Sequence, residues 1–221
     1  MNWLSLLVRI FMTRFFVRRA QGIFTDDPGK PNAFVAVRIS NESLTTGVAD
    51  IEEQLVSMDD RFAQYLEPLC KLHITVDVYN INETNIESAR IALASVRAHL
   101  SHAYLHVSFN GVDRFDGSVL YGNLTDGSYA NMRVFNSITK LYFLLNGIPS
   151  LNQYEYHPHM TIAEIPYKED ELQKIIQTLD LKKFKLNGNN FIDKVYLCRM
   201  HTEAAKTSFC DVIAEETFTV E

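Results

Sequence analysis

Beyond Pro31 the chain alternates short apolar runs of strand type with longer segments whose apolar residues recur at helical spacing, the pattern of an α+β domain. The pattern predicts a strand over 33–39, a helix over 46–65 and a second strand over 71–78. Asn82 or Thr84 suits the cap of a further helix running to about residue 100, with Ile86, Ile91, Leu93 and Val96 available for its buried side. Strands follow over 103–109 and 118–124, joined by a loop bracketed by Gly111 and Gly117. A long helix over 128–146, a strand around His159, a helix over 169–179 and strands over 184–198 and 207–213 complete the series. Each half thus reads helix, strand, helix, as a duplicated lobe would.

The two corresponding strands carry one motif twice: Leu72-His73-Ile74-Thr75-Val76 and Pro158-His159-Met160-Thr161-Ile162. Side chains alternate across an extended strand, so each histidine shares a face with its threonine while the apolar residues point the other way. A core can hold one face as the other offers imidazole and hydroxyl to a cleft. A lone strand histidine is ordinarily a satisfied polar residue; two in matching context suggest one shared site.

Composition narrows the chemistry. Residues 1–25 hold four arginines (Arg9, Arg14, Arg18 and Arg19) and no acid, so the rest of the chain carries a net −10 against −6 for the whole. An acidic body argues against a long nucleic-acid groove but not against a pocket for one or two phosphates. Cys70, Cys198 and Cys210 show no metal-type spacing, and their odd number suits reduced intracellular thiols better than a disulfide framework. Residues 1–30 separate from a domain over 31–221: the first seventeen are apolar with interleaved arginines, and a turn-rich stretch around Asp26-Asp27-Pro28-Gly29 follows. Such a segment fits a mitochondrial presequence or an interfacial amphipathic helix better than a signal peptide or a membrane span, with an N-terminal helix packed on its own domain as the alternative. The expected location is intracellular, mitochondrial or cytoplasmic, with membrane contact through this segment.

The paired motifs resemble those of the 2H phosphoesterases, a superfamily with two His-x-Thr motifs. The chain is similar, more closely, to the phosphoesterase-like central domain of A-kinase anchoring proteins and to 2′-5′ RNA ligase-like proteins. The likeness includes Pro31-Asn32-Ala33-Phe34, Lys71-Leu72-His73-Ile74-Thr75, the loop from Gly111 to Gly117, and Tyr156-His157-Pro158-His159-Met160-Thr161. It implies an α+β, two-lobed, internally duplicated fold with antiparallel sheets around a central cleft. It also implies a phosphodiesterase for a 2′-5′ oligonucleotide, a cyclic ribose phosphate or an RNA 3′ end. No segment resembling the kinase-anchoring helix follows the last predicted strand, so kinase anchoring is not carried over.

Phosphodiester cleavage needs a base for the attacking hydroxyl and an acid for the leaving oxygen, and histidine can serve as either near neutral pH. His73 and His159 are the expected acid/base pair, their roles unassigned, and Thr75 and Thr161 the expected phosphate ligands, each roughly 7 Å along the strand from its histidine. No metal or other cofactor is called for. His157, Tyr156, Phe115 and Tyr121 are candidates for contacting substrate, with a surface role the alternative for His157 and core packing the alternative for the aromatics; Phe34 and Arg38 share a face of the first strand, Arg38 being either a phosphate cation or an exposed edge charge. Tyr154 lies near the same predicted cleft, whereas His99, His102, His106 and His201 lack a comparable partner. The competing expectation is a non-catalytic module that senses an AMP-like nucleotide.

Overall fold

The computed structural model describes residues 29–116, 118–200 and 208–218; the expected targeting segment falls outside them. In chain order the elements are β1 (Ala33–Arg38), α1 (Glu42–Met58), β2 (His73–Tyr79), α2 (Ile86–His99), β3 (His106–Phe115), β4 (Val119–Leu124), α3 (Asp126–Leu145), β5 (Met160–Glu164), α4 (Asp170–Thr178), β6 (Asn187–Phe191), β7 (Lys194–Arg199) and β8 (Asp211–Thr217). The strands form one sheet in the order β6-β3-β4-β5-β2-β1-β7-β8. All its pairings are antiparallel. The expected two sheets are therefore two four-stranded halves of one sheet, joined where the motif strands β2 and β5 meet at Ile74↔Met160.

Each motif strand carries a β-bulge at the same place. Ala36 faces Thr75 and Val35 faces Asp77, which leaves Val76 as the extra residue of β2. Tyr121 faces Thr161 and Leu120 faces Ala163, which leaves Ile162 as the extra residue of β5. A bulge resets the in/out alternation of a strand. Burial records this: Leu72 to Val78 and Pro158 to Glu164 run through the same sequence of buried and half-buried positions, with two successive buried residues at the bulge. The duplication thus extends to the backbone.

Helices cover the face to which Ile74 and Met160 point. Tyr79, beyond the β2 bulge, stacks on Phe143 of α3 at 4.1 Å between ring centroids. α1 buries Leu44, Val48, Ile51 and Leu55, one helical stripe, and lies so close to β6 that a Cβ on Gly188 would meet Leu44 at 2.9 Å. Its cap is Asn41, whose side chain accepts from the Ser43 and Leu44 amides, so the helix starts four residues earlier than its apolar spacing predicts. It ends at Met58, where Asp59 breaks the helix and a 3-10 turn (Asp60–Gln64) follows. Asn82 caps a local turn at Thr84 instead of α2, whose N-cap is Asn85.

Two further features depart from expectation. The supposed loop after Gly111 is strand as far as Phe115, because Gly111 takes φ 78° and absorbs the register shift between Phe109 and Val112. Cys198 and Cys210 are joined by a disulfide, with Cα atoms 6.1 Å apart. Antiparallel pairing of β7 with β8 brings them within bridging distance, which their spacing in sequence does not reveal. Cys70 lies outside this bond, in the 3-10 turn Leu69–Lys71.

Candidate active site

The register Ile74↔Met160, extended one step each way, sets His73 beside Thr161 and Thr75 beside His159 on the face opposite the helices. Directly opposed side chains have Cβ atoms about 5 Å apart and diagonal ones about 7–8 Å. The two histidines occupy the diagonal.

Both imidazoles are oriented in the same way. His73 Nδ1 lies 2.7 Å from the Lys71 carbonyl and His159 Nδ1 lies 2.8 Å from the His157 carbonyl, in each case two residues back. A carbonyl only accepts, so each Nδ1 carries the proton and donates it. In the neutral ring Nε2 is then the free basic atom, and in the cation a proton donor.

Carbonyls left without ladder partners at the bulge are satisfied by other groups. The Asn136 amide donates to the Val76 carbonyl at 2.6 Å and the Tyr156 hydroxyl to the Thr75 carbonyl at 3.0 Å. On β5 the Glu67 backbone amide donates to the Ile162 carbonyl at 2.8 Å. Tyr156, a candidate substrate contact from sequence, turns its hydroxyl inward to brace β2, and burial raises its pKa well above the usual phenol value.

The surroundings of the two histidines differ. Around His159, Phe115 and Tyr121 stack on each other at 4.3 Å and lie steeply inclined to its ring, at 5.0 and 5.4 Å between centroids. Both reach this face through register: Phe115 opposes Val119, and Tyr121 opposes Thr161. This enclosure lowers the His159 pKa to about 4; burial is the main cause, the His157 carbonyl opposes it, and repulsion from the His157 and His73 rings adds to it. The residue as a whole is half-buried. His159 is therefore neutral at physiological pH.

His157 is exposed and bridges two tyrosines, with Tyr121 Oη 3.3 Å from Nε2 and Tyr129 Oη 3.3 Å from Nδ1. Tyr129 also donates to the Tyr156 carbonyl at 3.4 Å. This network assigns the proton to His157 Nδ1, with Tyr129 accepting it and Tyr121 donating to Nε2. Although the residue as a whole is exposed, desolvation of its ring beside Tyr121 and Tyr129 lowers this pKa too, against the opposing pull of Asp113 and Glu155.

Around His73 the neighbours are Phe34, at 5.4 Å between centroids, and Phe209, at 6.0 Å. Arg38 pairs with His73 across β1 and β2, places its guanidinium 5.7 Å from the centre of Phe209, and has a buried Nε with no hydrogen-bond partner. Phe209 and Tyr196, 5.0 Å apart, and Tyr129 are site neighbours that sequence reasoning missed. Phe209 precedes β8 with no motif around it, and Tyr129 and Tyr196 read as ordinary residues of their helix and strand. A hollow of about 560 Å³ beside α1, lined by Glu42, Asp50 and Lys185 among others, lies away from the motifs, and its two carboxylates disfavour phosphate.

The family profile described as AKAP7 2′5′ RNA ligase-like domain matches residues 31–218. The chain belongs to this family. Human A-kinase anchor protein 7 isoform gamma is 22% identical over 184 residues, covering 77% of this chain and 52% of that protein, so the chain spans about half the length of that relative. An uncharacterised Caenorhabditis elegans protein is 28% identical over 173 residues, covering 75% of this chain and 71% of that one. Among solved structures, E. coli LigT complexed with ATP superposes with a TM-score of 0.54 at 12% identity, over 86% of this chain and 100% of LigT. The fold is that of the LigT-like 2H phosphoesterases.

Proposed function

We propose that this protein is a metal-independent phosphodiesterase that cleaves a small RNA-derived substrate: a 2′-5′ oligonucleotide, a cyclic ribose phosphate or an RNA 3′ end. The observation that carries the reading is the pairing of two imidazoles on one face, each with Nδ1 tied to a carbonyl and Nε2 left for chemistry. In this mechanism His159, the ring that burial keeps neutral, is the base. Its Nε2 takes the proton from the attacking water or ribose hydroxyl as the new P–O bond forms. His73, as the acid of the pair, gives its Nε2 proton to the leaving oxygen as the old P–O bond breaks. Thr75 and Thr161 donate to the non-bridging oxygens, and the spare Arg38 Nε–H offers a charged donor to the same phosphate or to its neighbour. Two imidazoles and these donors supply acid, base and charge stabilisation without a metal. The LigT structures with ATP and with 3′-AMP support a nucleotide-sized ligand.

The test incubates the protein, in the presence of a chelator, with 2′-5′ oligoadenylate, a 2′,3′-cyclic nucleotide and a short 3′-5′ RNA, beside His73→Ala and His159→Ala. Turnover of one substrate class, abolished in both variants, is the expected result. Tight mononucleotide binding with no turnover of any of the three replaces the enzyme with a nucleotide sensor.

A further inference from the structure

We propose that Phe209 is a nucleobase-stacking wall on the His73 side of the cleft, held in place by the Cys198–Cys210 disulfide, so that nucleotide affinity depends on whether this bond is intact. The inference rests on the reading of the site as a nucleotide site and adds to it a residue and a control.

Phe209 is half-buried and, among the described residues, stands outside the main hydrophobic core. Its contacts are instead with site residues: the His73 ring at 6.0 Å, Tyr196 at 5.0 Å and the Arg38 guanidinium at 5.7 Å from its centre. Phe34 lies on β1 at 5.4 Å from the same histidine, so His73 sits between two aromatic side chains from different elements. The His159 side is furnished differently, since Phe115 and Tyr121 stack on each other and leave fewer free faces. A nucleobase beside a phosphate held at His73 would find aromatic surface and a guanidinium, the combination that stacks a base without reading its sequence.

The ladder alone does not secure Phe209. Pairing of β7 with β8 ends at Arg199↔Asp211, so Phe209 lies two residues beyond the last paired position. The neighbouring Cys210 is fixed to Cys198, and Cys198 is the partner of Phe34 in the β1–β7 register. One covalent bond therefore ties the segment carrying Phe209 to the strand position beside Phe34. A dithiol reverses it in a balanced exchange: the S–S bond breaks, two electrons and two protons pass to Cys198 and Cys210, and the dithiol closes to its own cyclic disulfide.

The experiment measures calorimetric binding of 3′-AMP and of ribose 5-phosphate, which lacks a base, to the full 221-residue chain. Phe209→Ala is expected to weaken 3′-AMP about five-fold or more while leaving ribose 5-phosphate unchanged, and Phe209→Tyr to restore binding. Dithiothreitol is expected to weaken 3′-AMP binding to the wild type but not to the double variant C198S/C210S, which binds like the reduced wild type. Circular dichroism checks that each form is folded, and the reduced wild type stands in for the double variant if that does not fold. Equal 3′-AMP affinity in Phe209→Ala overturns the wall and leaves the enzyme reading standing. Weakening by Phe209→Ala without any effect of reduction overturns the tether. Failure of the wild type to bind 3′-AMP, in a preparation that also turns over no substrate, removes the proposed function and this inference together.

Discussion

The two half-sites, one on β2 and one on β5, are alike in backbone and unlike in surroundings. Each has a histidine whose Nδ1 donates to the carbonyl two residues back, a threonine two residues on, and a bulge immediately after it. Yet Phe115 and Tyr121 enclose His159, whereas Phe34, Phe209 and Arg38 surround His73. Backbone repetition fixes where the rings are and which nitrogen they offer. The neighbours, which are not repeated, set the surroundings of each ring, and at His159 their burial of the ring lowers its pKa. A duplicated motif can therefore place two like histidines in unlike surroundings.

The pairing of the half-sites is tested most severely at the rings. His73→Ala and His159→Ala are each expected to lower kcat by about 100-fold or more, the ordinary range for losing a general acid or base, measured on whichever substrate turns over. Equal losses identify two partners in one step; a loss in only one confines the chemistry to that half-site.

Next in size is the brace under β2. Asn136→Ala leaves the buried Val76 carbonyl without its donor and is expected to destabilise the protein by about 1–3 kcal/mol in urea unfolding. An unchanged midpoint shows that the β2 bulge does not need that donor.

Phe115→Ala isolates the electrostatic contrast. Opening the wall readmits water to His159, so its pKa should rise from about 4 toward the usual imidazole value, by about one unit, in an NMR titration. In the wild type the unfolded chain takes up this proton first as pH falls. The stability associated with the neutral ring is therefore full above about pH 6.5 and lost as pH falls toward 4. Thermal melts across that window should steepen in wild type and flatten in Phe115→Ala. A His159 titration unmoved by the substitution shows that the aromatic wall is not what desolvates the ring.

The smallest effect is expected from Tyr156→Phe, which removes one hydrogen bond to the Thr75 carbonyl and should cost about 0.5–1.5 kcal/mol of stability. A fall in kcat well beyond that range would make Tyr156 a participant in the chemistry and not a brace.

Much of this arrangement is legible in the amino-acid sequence. The alternation around His73 and His159 predicts which side chains share a face, and the order of helices and strands predicts the duplicated halves. The strand beyond Gly111 reads as a loop because a glycine signals a turn and a bulge alike, and only the paired strand shows which. Tyr156 reads as a substrate contact because an aromatic residue near a motif gives no sign of where its hydroxyl points. The cap of α1 at Asn41 is outweighed in the sequence by apolar spacing that begins later. Phe209 has no signal at all, since nothing local marks a residue whose neighbours are distant in the chain.

The order of residues alone sets the motif strands, their buried and open faces, and the residues at their centre, because alternation is a local property of an extended chain. It takes the folded chain to place His73 and His159 diagonally across one strand pair, to bring Cys198 to Cys210, and to lower the pKa of His159 by burial. Each of these depends on which distant segments come together. Register, bridging distance and desolvation are properties of that assembly, and no short stretch of residues encodes them.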